Sequence, residues 1–387
     1  MNENPFYDPT LRKRHRSARI FKWLARSSIL LTMGFLLFFL FDMLRTAAPA
    51  VQQAYVQVEI TYSKKAARFS QFAVEKDYRP LVSRAWLRTI PKQMEDNPAL
   101  LGTSELRWVL ADDQVDQYLK GHHHNLKQKE LDALATLQAE NAVELQLNNI
   151  FFNNGDSKLP EFAGIQSAIV GSILTLLVTM VLAFPLGVMT AVYLEEFAKD
   201  NPITHFIEVN INNLAAIPSI LFGLLGLSVF INLFGLPRSS PLVGGMTLAL
   251  MTLPIIIVSS RAALRSVPDS IRQAGYGLGL TKLNIVKDHV LPVAMPGILT
   301  GSIIGLAQAM GETAPLIIIG MIAFIPDSPG SITEAATVLP AQIYTWAGMP
   351  ERAYIEKTAA GIVVILTVLI GLNASAIYLR KKYEIKW

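Results

Sequence analysis

The chain contains no cysteine, so disulfides cannot brace any part of it, and thiolate metal sites and thiol redox chemistry are excluded. It also lacks a G-x-x-x-x-G-K-[ST] stretch, and with it the backbone cradle that holds nucleotide phosphates. The nearest feature, Gly275-Tyr276-Gly277-Leu278-Gly279, has neither the spacing of a dinucleotide fingerprint nor a strand before it. Nucleophile elbow, zinc-protease helix and paired carboxylates in a plausible pocket are missing as well. Catalysis by this chain alone is therefore not expected, and no cofactor or metal is called for. His122, His123 and His124 are adjacent and do not present three ligands on one helical face, so a solvated loop is favoured over a metal site. No internal repeat or low-complexity tract is visible, which argues against a self-contained inverted-repeat transporter.

Charge is scarce too. Of 387 residues only 17% are charged, whereas 51% are hydrophobic and the mean hydropathy is +0.36, a balance that makes lipid the expected solvent. Stretches without Asp, Glu, Lys or Arg run over Ser27–Phe41, Phe162–Leu194, Val209–Pro237, Ser239–Ser260, His289–Gly311 continuing past Glu312 to Pro326, and Thr358–Leu379. Most are long enough to span a bilayer. The first is short, although Arg26 and Arg45 could snorkel, and Ala48-Pro49-Ala50 resembles a signal-peptidase site; an uncleaved anchor is the favoured reading.

The formal charge of +4 is concentrated beside these runs, in Arg12, Lys13, Arg14, Arg16, Arg19, Lys22 and Arg26, in the loop Arg261–Lys287, and in Arg380, Lys381, Lys382 and Lys386. That placement follows the positive-inside rule and gives six spans with both termini cytoplasmic. It suits lipid headgroups, and a nucleic-acid partner is not indicated. The expected organisation is a basic amino terminus over residues 1–26, a first transmembrane helix over 27–45 and an extracytoplasmic α/β domain over 46–160. A transmembrane core over 161–380 with a cytoplasmic loop at 261–292 follows, then a cytoplasmic tail at 381–387. In the α/β domain, strands are expected at Val56–Ile60 and Val143–Phe152, and helices around Leu81–Ile90 and Lys127–Glu140.

The loop from Val267-Pro268 through Gly279 to Leu291-Pro292 is amphipathic, has glycines for close approach, and ends at a proline where the next apolar run begins. It resembles the coupling loop of ABC importer permeases, a Glu-Ala-Ala, three residues, Gly pattern followed about a dozen residues on by Leu-Pro. Gln273, Ala274, Gly275, Gly279, Leu291 and Pro292 take those places. The departures are Gln273 for the usual Glu and Gly275 for the second Ala.

Four further stretches, FFNNGDSKLPEFAG from Phe151, AVYLEEF from Ala191, EVNINNLAAIPSILFGLLG from Glu208 and GETAP from Gly311, are similar to the PstA-type permeases of phosphate importers. The resemblance implies an all-α polytopic fold of the type I importer kind in the bacterial inner membrane. It also implies a second permease of the PstC type, an ATPase dimer of the PstB type that hydrolyses the ATP, and a periplasmic phosphate-binding protein of the PstS type. The long insertion before residue 160 is unusual for such permeases, and Gln308 stands where many relatives carry a basic residue. A permease for sulfate or molybdate, and a membrane-anchored sensor, are the rival readings.

Gly297, Gly301, Gly305, Gln308 and Glu312 recur at four, four, three and four residues and so share one narrow helical face. Glycines at that spacing let another helix approach, and a carboxylate at mid-bilayer costs roughly 2.5–3.5 kcal/mol, so Glu312 should face protein or water. A carboxylate repels phosphate; gating or cation positioning suits it better than holding the anion, with simple packing as the alternative. Gln308, Thr313 and Asn213 are the other path candidates. Arg261 and Arg265, one helical turn apart, are read either as anchors or as attractors of a departing anion.

Overall fold

The computed structural model describes residues 10–322 and 324–383; the first nine residues and the tail residue Lys386 lie outside the described residues. The helix Thr10–Ala47 comes first. Its 38 residues make it about 57 Å long at 1.5 Å per residue, well beyond the roughly 30 Å of a hydrocarbon core. From Lys13 onward almost every side chain is exposed, as suits a helix solvated by lipid and headgroups.

An α/β module follows. Its sheet has the order β2-β1-β3, with β1 (Gln52–Thr61) in the centre, flanked antiparallel by β2 (Ser104–Leu110) and β3 (Val143–Leu147). Alternation along β1 sends Ala54, Val56, Val58 and Ile60 to one buried face, where they meet Val109, Val115, Leu134 and Leu137. The helix expected near Lys127 is Gln128–Ala139. The strand expected over Val143–Phe152 stops at Leu147, because the Asn148 side chain accepts from Phe151 N and starts the helix Asn149–Asn153. The region Leu81–Ile90 is a series of single turns, Arg79–Leu81 and Arg84–Leu87, before the helix Ile90–Asp96. β2 has no counterpart among the strands expected from the sequence.

Among the described residues five helices are long and apolar enough to cross a membrane, or six if one bent pair counts as a span. After the first come Gln166–Val192, Pro241–Arg265, Leu291–Gly311 and Ala353–Tyr383. Gln166–Val192 and Pro241–Arg265 are joined through Thr179, whose hydroxyl donates to Thr175 O at 2.8 Å and lies 3.2 Å from Gly245 O on the other helix. In lipid, where helix association gains nothing from excluding water, such hydrogen bonds and close packing hold spans together.

Two expectations are corrected. The run Val209–Pro237 is not one straight span: helices Pro202–Ala215 and Ser219–Leu225, the latter continuing to Leu233, meet at 104°. Pro218 lacks an N–H for the ladder and holds extended backbone at φ −54, ψ 134. The run through Glu312 is not one helix either. Leu291–Gly311 ends there, Glu312 adopts extended backbone at φ −78, ψ 122, and only the short helix Ala314–Ile318 follows.

The module sits on one end of this core. Ala47, Ala50, Phe151, Ile165, Trp346 and Tyr354 form a shared apolar cluster. Polar ties cross it: Trp346 Nε1 donates to Asp156 Oδ1 at 2.8 Å and the Tyr354 hydroxyl to Ser157 O at 2.6 Å.

Candidate functional site

At the opposite end of the core, the helix Pro241–Arg265 leads into Pro268, whose extended backbone starts the coupling helix Asp269–Gly277. Asp269 in its first turn complements the helix dipole. The helix ends at Leu278, and Gly279 takes φ +77, the left-handed conformation that closes the turn without a Cβ clash. Thr281 then caps the single turn Lys282–Ile285 through Asn284 N. Gly275 is where the two pieces touch: a Cβ there would lie 2.6 Å from Ile285 Cγ1. Gln273 and Ala274 are exposed, Tyr276 is 52% and Leu278 80% exposed, so the knob presents an apolar face with no partner among the described residues. Leu291 is half-buried in the cluster beneath, and Pro292 occupies the first turn of the following span, where its missing N–H is not needed.

The knob is fastened to the core by charge. Arg272 donates through Nη2 to Glu196 Oε1 at 2.6 Å and to Leu264 O at 3.1 Å, and through Nη1 to Val267 O at 2.8 Å. The Glu196 carboxylate holds the Arg272 guanidinium above its ordinary pKa. Beside it, Arg261 donates to Glu195 Oε2 at 3.2 Å and Glu208 Oε1 at 2.5 Å, while Arg265 donates to Glu195 Oε1 at 2.8 Å. Two guanidinium groups thus face two carboxylates, which leaves them little net field for a free anion. The geometry makes Arg261 and Arg265 clamps between spans. Glu195, Glu196, Glu208 and Arg272 carry the clamp; the sequence alone gives them no role, although the AVYLEEF stretch holds Glu195 and Glu196, the stretch from Glu208 begins with the third carboxylate, and Arg272 lies in the coupling loop.

The glycine stripe meets the helix Pro241–Arg265. A Cβ on Gly297 would lie 2.7 Å from Ala263 Cβ, and one on Gly301 would lie 2.1 Å from Ser259 Oγ. At Gly305 the nearest atom, Ile255 Cγ2, is 3.6 Å away, so the helices diverge toward the module end. Gln308 comes next and is exposed; half-buried Glu312 lies past the helix end, so the single stripe holds only as far as Gln308. Neither Gln308 nor Glu312 has a polar side-chain partner among the described residues.

The two helix breaks are brought together. Gly223, one turn past Pro218, abuts Pro315, one turn past Glu312, so closely that a Cβ would lie 2.7 Å from Pro315 Cα. Ile217, Phe222, Ala309 and Leu316 share one apolar cluster behind them. Thr313 is half-buried just before Ala314–Ile318, and Asn213 is exposed near the end of Pro202–Ala215. The triple histidine lies in a loop, and the described residues contain no cluster fit to hold a metal; His123 is exposed, and His122 is half-buried against Glu356.

The model of the binding-protein-dependent transport system inner membrane component matches residues 183–384, more than half of the chain, and that of a domain of unknown function (DUF3333) matches residues 8–77. The chain is 30% identical over 244 residues to the probable ABC transporter permease protein YqgI of Bacillus subtilis (strain 168), covering 59% of this chain and 82% of that protein. It is 35% identical over 227 residues to the phosphate transport system permease protein PstA 1 of Mycobacterium tuberculosis (strain ATCC 25618 / H37Rv), covering 57% and 72%. A chain of the inward-facing MetNI methionine ABC transporter is similar at 18% identity and TM-score 0.43, over 57% of this chain and 97% of that one. This chain belongs to the family of binding-protein-dependent transport system inner membrane components, and it is a multi-pass transport subunit rather than an enzyme.

Proposed function

We propose that the chain is one half of the pore of an ATP-driven importer for inorganic phosphate, a permease of the PstA type. The observation that carries the reading is the coupling knob: an exposed apolar face, fastened to two spans by Arg272, on a core that aligns with permeases named for phosphate transport. An ATPase of the PstB type, as a dimer, would seat on Gln273, Ala274, Tyr276 and Leu278, with Gly275 and Gly279 shaping the seat. A second permease of the PstC type would complete the pore against the face that carries Gln308 and the two helix breaks. Discontinuous helices at mid-membrane are where transporters place their substrate paths, which makes Glu312, Thr313, Gln308 and Asn213 the path residues of this reading. Glu312 acts there in gating, not as the anion's ligand.

In this reading the chain resides in the bacterial inner membrane with both termini cytoplasmic. The module within residues 46–160 then faces the periplasm, where a phosphate-binding protein of the PstS type delivers the anion. The test is ATP-dependent uptake into proteoliposomes holding the reconstituted complex, with phosphate, sulfate and molybdate in competition. Phosphate uptake that the other two anions do not displace is expected. Preferential uptake of either rival, or ATP hydrolysis without uptake of any anion, overturns the assignment.

A further inference from the structure

The module meets the end of the last span through buried charge. Lys120 Nζ lies 2.6 Å from Asp116 Oδ2 and 3.2 Å from Glu356 Oε2. Gln117 Nε2 donates to Glu356 Oε1 at 2.9 Å, and His122 Nδ1 is 2.9 Å from the same oxygen. Ala54 N donates to Asp116 Oδ1 at 2.8 Å, and Lys357 Nζ donates to the carbonyl of Ala163. Asp116, Lys120, Glu356 and Lys357 wall a small cavity together with Gln53, Asp113 and Glu161. Gln53 is only 2% exposed, and its Nε2 has no hydrogen-bond partner among the described residues.

Among the described residues, Asp113 and Glu161 have no cation of their own in this junction, and Glu161 accepts instead from the Ser83 hydroxyl. Lys120 is engaged by Asp116 and Glu356, and Lys357 by a backbone carbonyl. From its own helix Asp113 faces Asp112 and receives a bond from Gln114 Nε2 at 2.9 Å; Glu351, ahead of the last span, and Glu161, ahead of Gln166–Val192, add negative charge. Arg84 stands nearer Asp112. Burial, then the neighbouring Asp112 carboxylate, push Asp113 up to about 7, and burial raises Asp112, Asp116 and Glu161 as well.

We infer that the junction is a proton-operated latch: with a proton on Asp113 the module is seated on the last span, and loss of that proton sets a second charge against Asp112 and loosens the seat. The sign follows from proton binding. A seated Asp113 holds its proton across a range in which an unseated, water-exposed one has lost it, so the seated state binds more protons and is favoured at low pH. Its advantage falls as pH rises toward and through about 7. His122 lies against Glu356 in the same junction, so its contribution must be separated from that of Asp113. The latch goes beyond the transport reading and is tested without it.

The experiment is hydrogen–deuterium exchange on the purified full-length complex, with protection factors corrected for intrinsic pH dependence. With Asp113 at about 7 seated and at an ordinary carboxyl value unseated, protection of 113–120 should fall about tenfold between about pH 6 and about pH 8. His122→Gln should keep that fall, and Asp113→Asn should abolish it and be as well protected at the higher pH as at the lower. If Asp113→Asn does not fold, Asp112→Asn serves instead, because removing the neighbouring charge should shrink the fall. Equal protection of the wild type at both pH values, or an undiminished fall in the Asp113 or Asp112 variant, overturns the latch.

Discussion

The Arg272 guanidinium of the coupling helix closes on Glu196, 76 residues earlier in the chain, at 2.6 Å, and from the same position holds the carbonyls of Leu264 and Val267. One side chain therefore ties the knob to the ends of two spans, and a push on the knob has a direct route into both. The Glu196 side chain is 5% exposed and the Arg272 side chain 18%, so little solvent screens the pair.

Arg272→Ala leaves the Glu196 charge buried without its partner, a loss of about 3–5 kcal/mol in comparable sites. Uptake by the reconstituted complex should drop at least about tenfold, at 1.4 kcal/mol per decade, while the chain still reaches the membrane. Arg272→Lys should rescue little, since an ammonium cannot span the carboxylate and two carbonyls in one plane. Normal ATP-coupled uptake by Arg272→Ala would show that the fastening is dispensable.

Gly279 separates backbone from contact effects, because a Cβ there meets nothing within 4 Å while φ is +77. Gly279→Val should strain the turn by about 1–2 kcal/mol, and Gly279→Asn, which tolerates the left-handed region, by much less. ATPase binding and uptake should follow that order. Equal activity of the two variants would mean that the turn's shape does not matter to docking.

At Gly301 the conflict is with one named atom, Ser259 Oγ, 2.1 Å from the point a Cβ would occupy. Gly301→Ala should therefore destabilise the packed helix pair by about 1–3 kcal/mol, and Ser259→Gly in the same chain should restore most of the loss. Thermal unfolding of the detergent-solubilised complex measures both. Additive losses in the double variant would place the strain elsewhere.

Glu312→Gln keeps size and hydrogen bonding and removes the charge. If Glu312 gates the path, uptake should fall at least about tenfold, or 1.4 kcal/mol, with assembly intact. Glu312→Leu should lose assembly as well. Wild-type uptake by Glu312→Gln across a range of pH would return the residue to packing.

The spans are legible in the sequence because lipid leaves the backbone no water to bond with, and charge-free runs of the necessary length record that constraint directly. The coupling knob is legible for a local reason: Pro268, Gly275 and Gly279 specify its turns within a few residues of one another. The breaks at Pro218 and Glu312 are not, because apolar runs report burial in lipid without reporting direction. The Arg261 to Glu195 pairing joins positions 66 apart, and nothing local in either segment announces the other. β2 escapes because Leu106 and Trp108 share its open face with β1 residues Glu59 and Gln57, so the alternation of Ser104–Leu110 does not separate polar from apolar.

The bond between Gln117 and Glu356 spans 239 positions, nearly two thirds of the chain. Synthesis from the amino terminus delivers the module long before the helix on which it rests. Throughout the making of the intervening spans, Asp116, Lys120 and Gln117 must stay hydrated, and the module can close its own sheet once β3 is made but has nowhere to lodge. Docking is thus the last step of biogenesis, and it reports on completion: a nascent or truncated chain without Ala353–Tyr383 displays an unmet charged surface that a finished one conceals. A quality-control protease or chaperone acting on that side of the membrane would find there a physical difference between the unfinished permease and the mature one.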